Sequence, residues 1–165
     1  MKISESIAYP AAPSDVFTML TDEEFQNRKC VDAGALRHDV AVTPTGDGAR
    51  VVTHRDLPTD RLPDFAKSIV GQNLSITETY DWGAAQADGG RRGTLLVEVK
   101  GAPVAMRADV ALSATGGGST VSFDGDLKAS IPLLGGRIEK AAAPAVIAGI
   151  RSEQRTGRAW LAEGH

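Results

Sequence analysis

Cysteine is nearly missing from this chain: Cys30 stands alone. No disulfide can form within the chain, and the usage suits a reducing compartment. Aromatic residues make up only 5% of the sequence, too few for a surface that stacks the bases of single-stranded nucleic acid. No apolar run approaches the roughly 18 residues that cross a bilayer. The opening Met1-Lys2-Ile3-Ser4-Glu5 turns polar at once, unlike a secretory leader with its basic start and apolar core. Charge of one sign is also scarce. The net value is -3, which gathers no polyanion by its long-range field. Metal-ligand spacing is missing as well, since there is no His-x-x-x-His and Cys30 has no thiol partner. These absences lead to the expectation of a cytoplasmic protein with no nucleic-acid partner, no integral membrane association, no metal and no cofactor.

What is present is pattern. The chain has 165 residues, 42% of them hydrophobic, enough for one domain over residues 1–165 with a full core. Ile3, Glu5, Ile7 and Tyr9 alternate with more polar neighbours, the period of a half-buried strand, and Pro10 and Pro13 end it. Pro13 suits a first helical turn, and Val16, Phe17 and Leu20 follow at helical spacing. Thr21-Asp22-Glu23-Glu24 reads as a capping box, with Thr21 as cap and Glu24 reaching back, opening a second short helix that carries Phe25.

Six strand-like runs come next. His38, Val40 and Val42 alternate, and Gly46-Asp47-Gly48 marks a hairpin. The following strand has two possible registers: either Val52 and His54 point inward, or Val51, Thr53 and Arg55 do. A short helix over Pro63 to Val70, carrying Phe65 and Ile69, is placed to act as a lid, with Gly71 as its C-cap. Ile76, Glu78, Tyr80 and Trp82 alternate, as do Leu95, Val97 and Val99. Val104, Met106, Ala108, Val110 and Leu112 give the cleanest alternation, and Val121, Phe123, Gly125 and Leu127 close the set. A long helix then runs to about Trp160, with Ile138, Ala142, Ala145 and Gly149 on one face. Those residues are small apart from Ile138, which allows close packing or an open volume beneath. Pro144 predicts a kink near residues 140–144 or a break, because it removes the bond to the Lys140 carbonyl.

The order of strand, two short helices, strand series and long helix, with Pro13-Ser14-Asp15-Val16-Phe17, Leu20 to Phe25, and Ile131-Pro132-Leu133-Leu134-Gly135-Gly136-Arg137-Ile138-Glu139-Lys140, resembles the START-like helix-grip superfamily. That superfamily includes the birch-pollen-allergen-type and polyketide cyclase-like proteins, and the likeness is to an uncharacterised bacterial branch of it. The resemblance implies an α+β fold in which a seven-stranded curved antiparallel sheet grips a long C-terminal helix. It also implies a cavity for a lipid-like or polyketide-like molecule between them. It transfers no catalytic residue.

The candidate cavity residues are Phe17, Phe25, His38, Phe65, Ile69, Glu78, Tyr80, Val97, Met106, Phe123, Ile138, Ala142 and Ala145. Glu78 has two readings. In an apolar cavity its pKa would rise, making it a proton donor or a ligand anchor; paired with Arg55 or Arg107 it would be structural. His38 and His54 could act near neutral pH, but each reads first as a partly exposed structural residue. Cys30 reads as a small packing residue. Gly116-Gly117-Gly118 lies between strands, and Gly135-Gly136 lacks a following Lys-Ser/Thr pair, so both read as turns and not phosphate loops. Arg151, Arg155 and Arg158 share a helix face that reads as solvated, with Glu153 nearby. The expected function is binding of an apolar or amphipathic small molecule. Two alternatives stay open: a cyclase, dehydratase or hydrolase using Glu78, His38 or Tyr80, and a module whose groove takes a partner protein's helix or tail.

Overall fold

The computed structural model describes residues 1–165. The chain runs β1 (Lys2–Tyr9), α1 (Pro13–Leu20), α2 (Glu23–Asp32), β2 (Arg37–Thr45), β3 (Gly48–Pro58), α3 (Asp64–Val70), β4 (Asn73–Trp82), β5 (Arg91–Val99), β6 (Val104–Thr115), β7 (Gly118–Ala129) and α4 (Gly135–Ala162). All seven strands form one antiparallel sheet in the order β1-β7-β6-β5-β4-β3-β2. β2 to β7 make a meander, and β1 pairs beside β7. α4 lies against β1, β7 and α2, which gives the expected helix-grip architecture.

The alternating residues fix which sheet face is inward. Met106, Val110, Leu112, Val121, Phe123 and Leu127 are all buried, as their period-two pattern requires. In β3 the second register holds: Val51 and Thr53 are buried, while His54 is exposed and its Nδ1 lies 2.8 Å from Thr77 Oγ1. At Gly125 any side chain would collide with the Arg107 carbonyl and Ala108 across the β6–β7 ladder, so the close approach there requires glycine.

Three details differ from expectation. The cap of α2 is Asp22, whose side chain accepts from Phe25 N–H at 3.0 Å. Thr21 is still closing α1: its backbone N–H and its hydroxyl both donate to the Phe17 carbonyl. α4 is a single 28-residue helix with Pro144 inside it, and no break occurs there. Both Pro144 and Lys140 face solvent, where water can hydrate the carbonyl that proline leaves unpaired.

The third difference is the face α4 turns inward. Ile138, Ala143, Ile150, Glu153, Gly157 and Trp160 are buried, whereas Ala145 and Gly149 are exposed. The inward stripe therefore sits about one residue around from the small-residue stripe, roughly 100° per residue. At Gly157 the backbone lies directly on the Tyr9 ring and Met19, so a side chain has no room. The same helix covers the outer edge of β1. Gln154 Oε1 accepts from Ala8 N–H at 2.8 Å, and Arg158 Nε donates to the Ala8 carbonyl at 3.0 Å. Arg151 comes within 3.6 Å of Glu5. Two of the three arginines read as solvated thus reach β1.

Candidate functional site

Strand register sets out the inner face in rows. One row reads His38, Arg55, Ile76, Val99 from β2 to β5. The next reads Val40, Thr53, Glu78, Val97, Met106 from β2 to β6. Each row carries polar groups on β2, β3 or β4 and aliphatic ones toward β5. Ile76, Val97 and Val99 are only half-buried, because α4 leans toward β1 and β7 and leaves β4 and β5 partly uncovered. Ala142 and Val146 on α4, and Phe65 and Ile69 on α3, are half-buried apolar residues packed against the core. α3 itself buries no residue fully. The Arg137 guanidinium lies 4.1 Å from the centre of the Phe65 ring and ties this short helix to the start of α4. These half-buried apolar residues are the least covered part of the inner face.

Beside these residues lies a buried ion cluster. Lys29 Nζ on α2 donates to Glu78 Oε1 at 2.6 Å and to Glu153 Oε2 on α4 at 3.0 Å. Arg55 Nη2 donates to Glu78 Oε2 at 3.1 Å, and Arg55 Nη1 to Thr53 Oγ1 at 3.3 Å. The Tyr80 hydroxyl donates to Glu153 at 3.4 Å. Two cations meet two anions, and the set joins α2, β3, β4 and α4. The Tyr9 hydroxyl, Gln26 Oε1 and Arg55 Nε are buried in this structure without a hydrogen-bond partner.

The electrostatics decide between the two readings of Glu78 in favour of the ion pair with Arg55. Burial pushes the Glu78 carboxyl up, but Lys29 and Arg55 more than reverse it and hold its pKa at about 2. Glu78 is an ionised partner of two cations, not a protonated acid. Burial likewise pulls Lys29 down, and Glu78 and Glu153 bring it above the ordinary lysine range. Tyr80 is pushed well up by burial, then by Glu153 and Glu78, so its hydroxyl keeps its proton. Burial raises the Cys30 thiol, which is fully enclosed; its role is packing.

The structure divides the sequence-derived candidates. Phe65, Ile69, Val97 and Ala142 are half-buried apolar residues packed on the core, and His38 stands half-buried on β2 with Nε2 3.1 Å from Asn27 Oδ1. Glu78 belongs to the ion cluster, and Tyr80 touches it. Phe25, Met106, Phe123 and Ile138 are solid core. Phe17 lies elsewhere, beneath the Arg91 guanidinium at 3.6 Å. Ala145 faces solvent because the helix presents its neighbouring stripe. Arg107 does not pair with Glu78; it lines a depression of about 730 Å3 on the outer sheet face with Lys2, Arg50, Asp81, Asp109 and Asp124. That charged hollow is remote from the groove and does not suit an apolar molecule.

Lys29, Arg55 and Glu153 were not among the candidates. A usable signal existed for two of them. Lys29 follows Phe25 by four residues, on the face that Phe25 buries. Glu153 falls in a stripe with Val146, Ile150 and Trp160, which is larger and more apolar than the stripe of Ala142, Ala145 and Gly149.

An antiparallel sheet gripping a C-terminal helix, with two short helices after the first strand, is the helix-grip fold. The chain belongs to the family described as a protein of unknown function, DUF2505, whose model matches residues 4–161. Similar solved structures share the fold at low identity. TTHA0849 from Thermus thermophilus superposes with a TM-score of 0.64 at 15% identity, covering 100% of each chain. The STAR-related lipid transfer protein from Xanthomonas axonopodis gives 0.59 at 14% identity, covering 95% of this chain and 85% of that one. A START superfamily protein from Mycobacterium smegmatis gives 0.55 at 11% identity, covering 93% and 94%. No curated protein sequence matches the chain. No helix is long and apolar enough to cross a membrane.

Proposed function

We propose that this protein binds an apolar or amphipathic small molecule, lipid-like or polyketide-like in character, in the groove between β4, β5, α3 and the first half of α4. The observation that carries this reading is the incomplete cover over Ile76, Val97 and Val99, framed by Phe65, Ile69, Ala142 and Val146. A ligand there would remove apolar surface from water, worth roughly 25 cal/mol per Å2 before ordering costs. α3, which buries none of its own residues, is the element that would move to admit it. The solved structure described as a STAR-related lipid transfer protein shares the architecture and supports the ligand class by analogy of fold.

The test is a titration with diphenylhexatriene, a hydrocarbon dye that fluoresces when shielded from water. The wild-type protein should saturate it, and Ala142→Trp, which fills the groove from α4, should abolish the signal while far-UV circular dichroism stays unchanged. Dye binding equal in both proteins, or absent from the wild type, would overturn the proposal.

A further inference from the structure

We propose that the groove selects molecules whose polar end is an uncharged oxygen, a hydroxyl or carbonyl, and discriminates against those that end in a free carboxylate. This rests on the groove reading above and adds the chemistry of the ligand's polar end. The row His38–Arg55–Ile76–Val99 changes from hydrogen-bonding to aliphatic within one cross-strand line. Adjacent strands lie about 4.8 Å apart, so an apolar body resting on Ile76 and Val99 brings its end to Arg55 within roughly 10 Å. Among the charged side chains of the cluster Arg55 is the most exposed, at 12% against 5% for Lys29 and 6% for Glu153. Its guanidinium has five N–H donors, of which Glu78 and Thr53 engage one each. Nε is enclosed, which leaves one N–H on each of Nη1 and Nη2 for a ligand oxygen.

Charge balance decides which oxygen. Lys29 and Arg55 are already matched by Glu78 and Glu153. A ligand carboxylate beside Arg55 would bring a third negative charge into a dehydrated setting whose two cations are already matched, so its desolvation would go uncompensated; Arg137, which has no acidic partner, is exposed over Phe65 at the α3 side and stays hydrated. A hydroxyl or carbonyl oxygen accepts from Arg55 and adds no charge.

The experiment displaces diphenylhexatriene with decan-1-ol and with decanoate at pH 8. These two probes have the same chain length and differ at the polar end. Because the alcohol is also the more hydrophobic, the quantity that matters is the ratio of their displacement midpoints in two proteins. The second protein is the double variant Arg55→Leu/Glu78→Gln, which removes one cation and one anion and keeps the cluster neutral, with its fold checked by circular dichroism. The wild-type ratio should favour decan-1-ol, and it should shrink about tenfold in the double variant, the scale of one hydrogen bond to a charged group. Dye binding to the wild type with a ratio unchanged by the double substitution would overturn the selection rule while leaving the groove intact. Failure of the wild type to bind the dye would remove the groove and this inference together.

Discussion

The two halves of α4 sit over different ground. Beneath the C-terminal half, Trp160 meets Phe25 edge-to-face at 5.6 Å, Gly157 rests on Tyr9, and Phe25 and Val16 are completely enclosed. Beneath the N-terminal half, Ala142 and Val146 are only half-buried, and Arg137 reaches the Phe65 ring of α3. One helix thus closes a core at one end and covers apolar residues only in part at the other, where the proposed groove lies. The difference teaches where stability and binding are separated: α1 and α2 pack into the closed half, and only the short α3 attends the open one. The ion cluster lies between them, with Glu153 from α4, Lys29 from α2 and Glu78 from the sheet.

The comparison breaks most severely at that boundary. Lys29→Met should leave Glu78 and Glu153 buried with Arg55 as their sole cation and cost about 3–5 kcal/mol, read from urea unfolding. A loss below about 1 kcal/mol, the scale of an exposed pair, would show that the cluster does not join the halves.

The contrast between halves is sharpened by two phenylalanines. Phe25→Ala, in the closed half, should cost about 3–5 kcal/mol. Phe65→Ala, in the open half, should cost about 1 kcal/mol or less, the worth of an exposed cation–π contact, yet weaken diphenylhexatriene binding. Equal stability losses would erase the distinction.

A further effect is a slope. Glu78 has a folded pKa near 2 against an ordinary value of 4.5. Its stabilising contribution is present above pH 4.5 and is lost as pH falls toward 2, because the unfolded chain binds the proton first. Glu78→Gln should flatten the unfolding free energy between those pH values, measured by urea midpoints; an undiminished acid slope would place the titration elsewhere.

How far these features were legible depends on distance along the chain. β6 and β7 could be read directly, since Val104 to Leu112 and Val121 to Leu127 alternate without interruption and their inward residues are buried. Glu78 stood out as a carboxylate on an apolar strand face. Arg55 could be named as its partner from the neighbouring strand; the rest of the cluster could not, because Lys29 lies 49 residues from Glu78 and Glu153 lies 124 residues beyond Lys29, and no local period links a helix residue to a strand across such gaps. The α4 face was misplaced by one residue because alanines dominate the helix between Lys140 and Gly149, where a small-residue stripe and its neighbour look alike. Pro144 predicted a kink or a break from local chemistry alone; the break does not occur, and its exposure, a tertiary property, lets the helix continue.

The hold of α4 on β1 bears on how this molecule reaches its native state. β1 pairs with β7, and its free edge is satisfied by Gln154 and Arg158 of the last helix. The earliest strand therefore finds its partners only after the latest elements have been made. Closing loops of that length before any reward arrives slows folding, and it leaves the β2–β7 meander as the part able to assemble first while β1 waits.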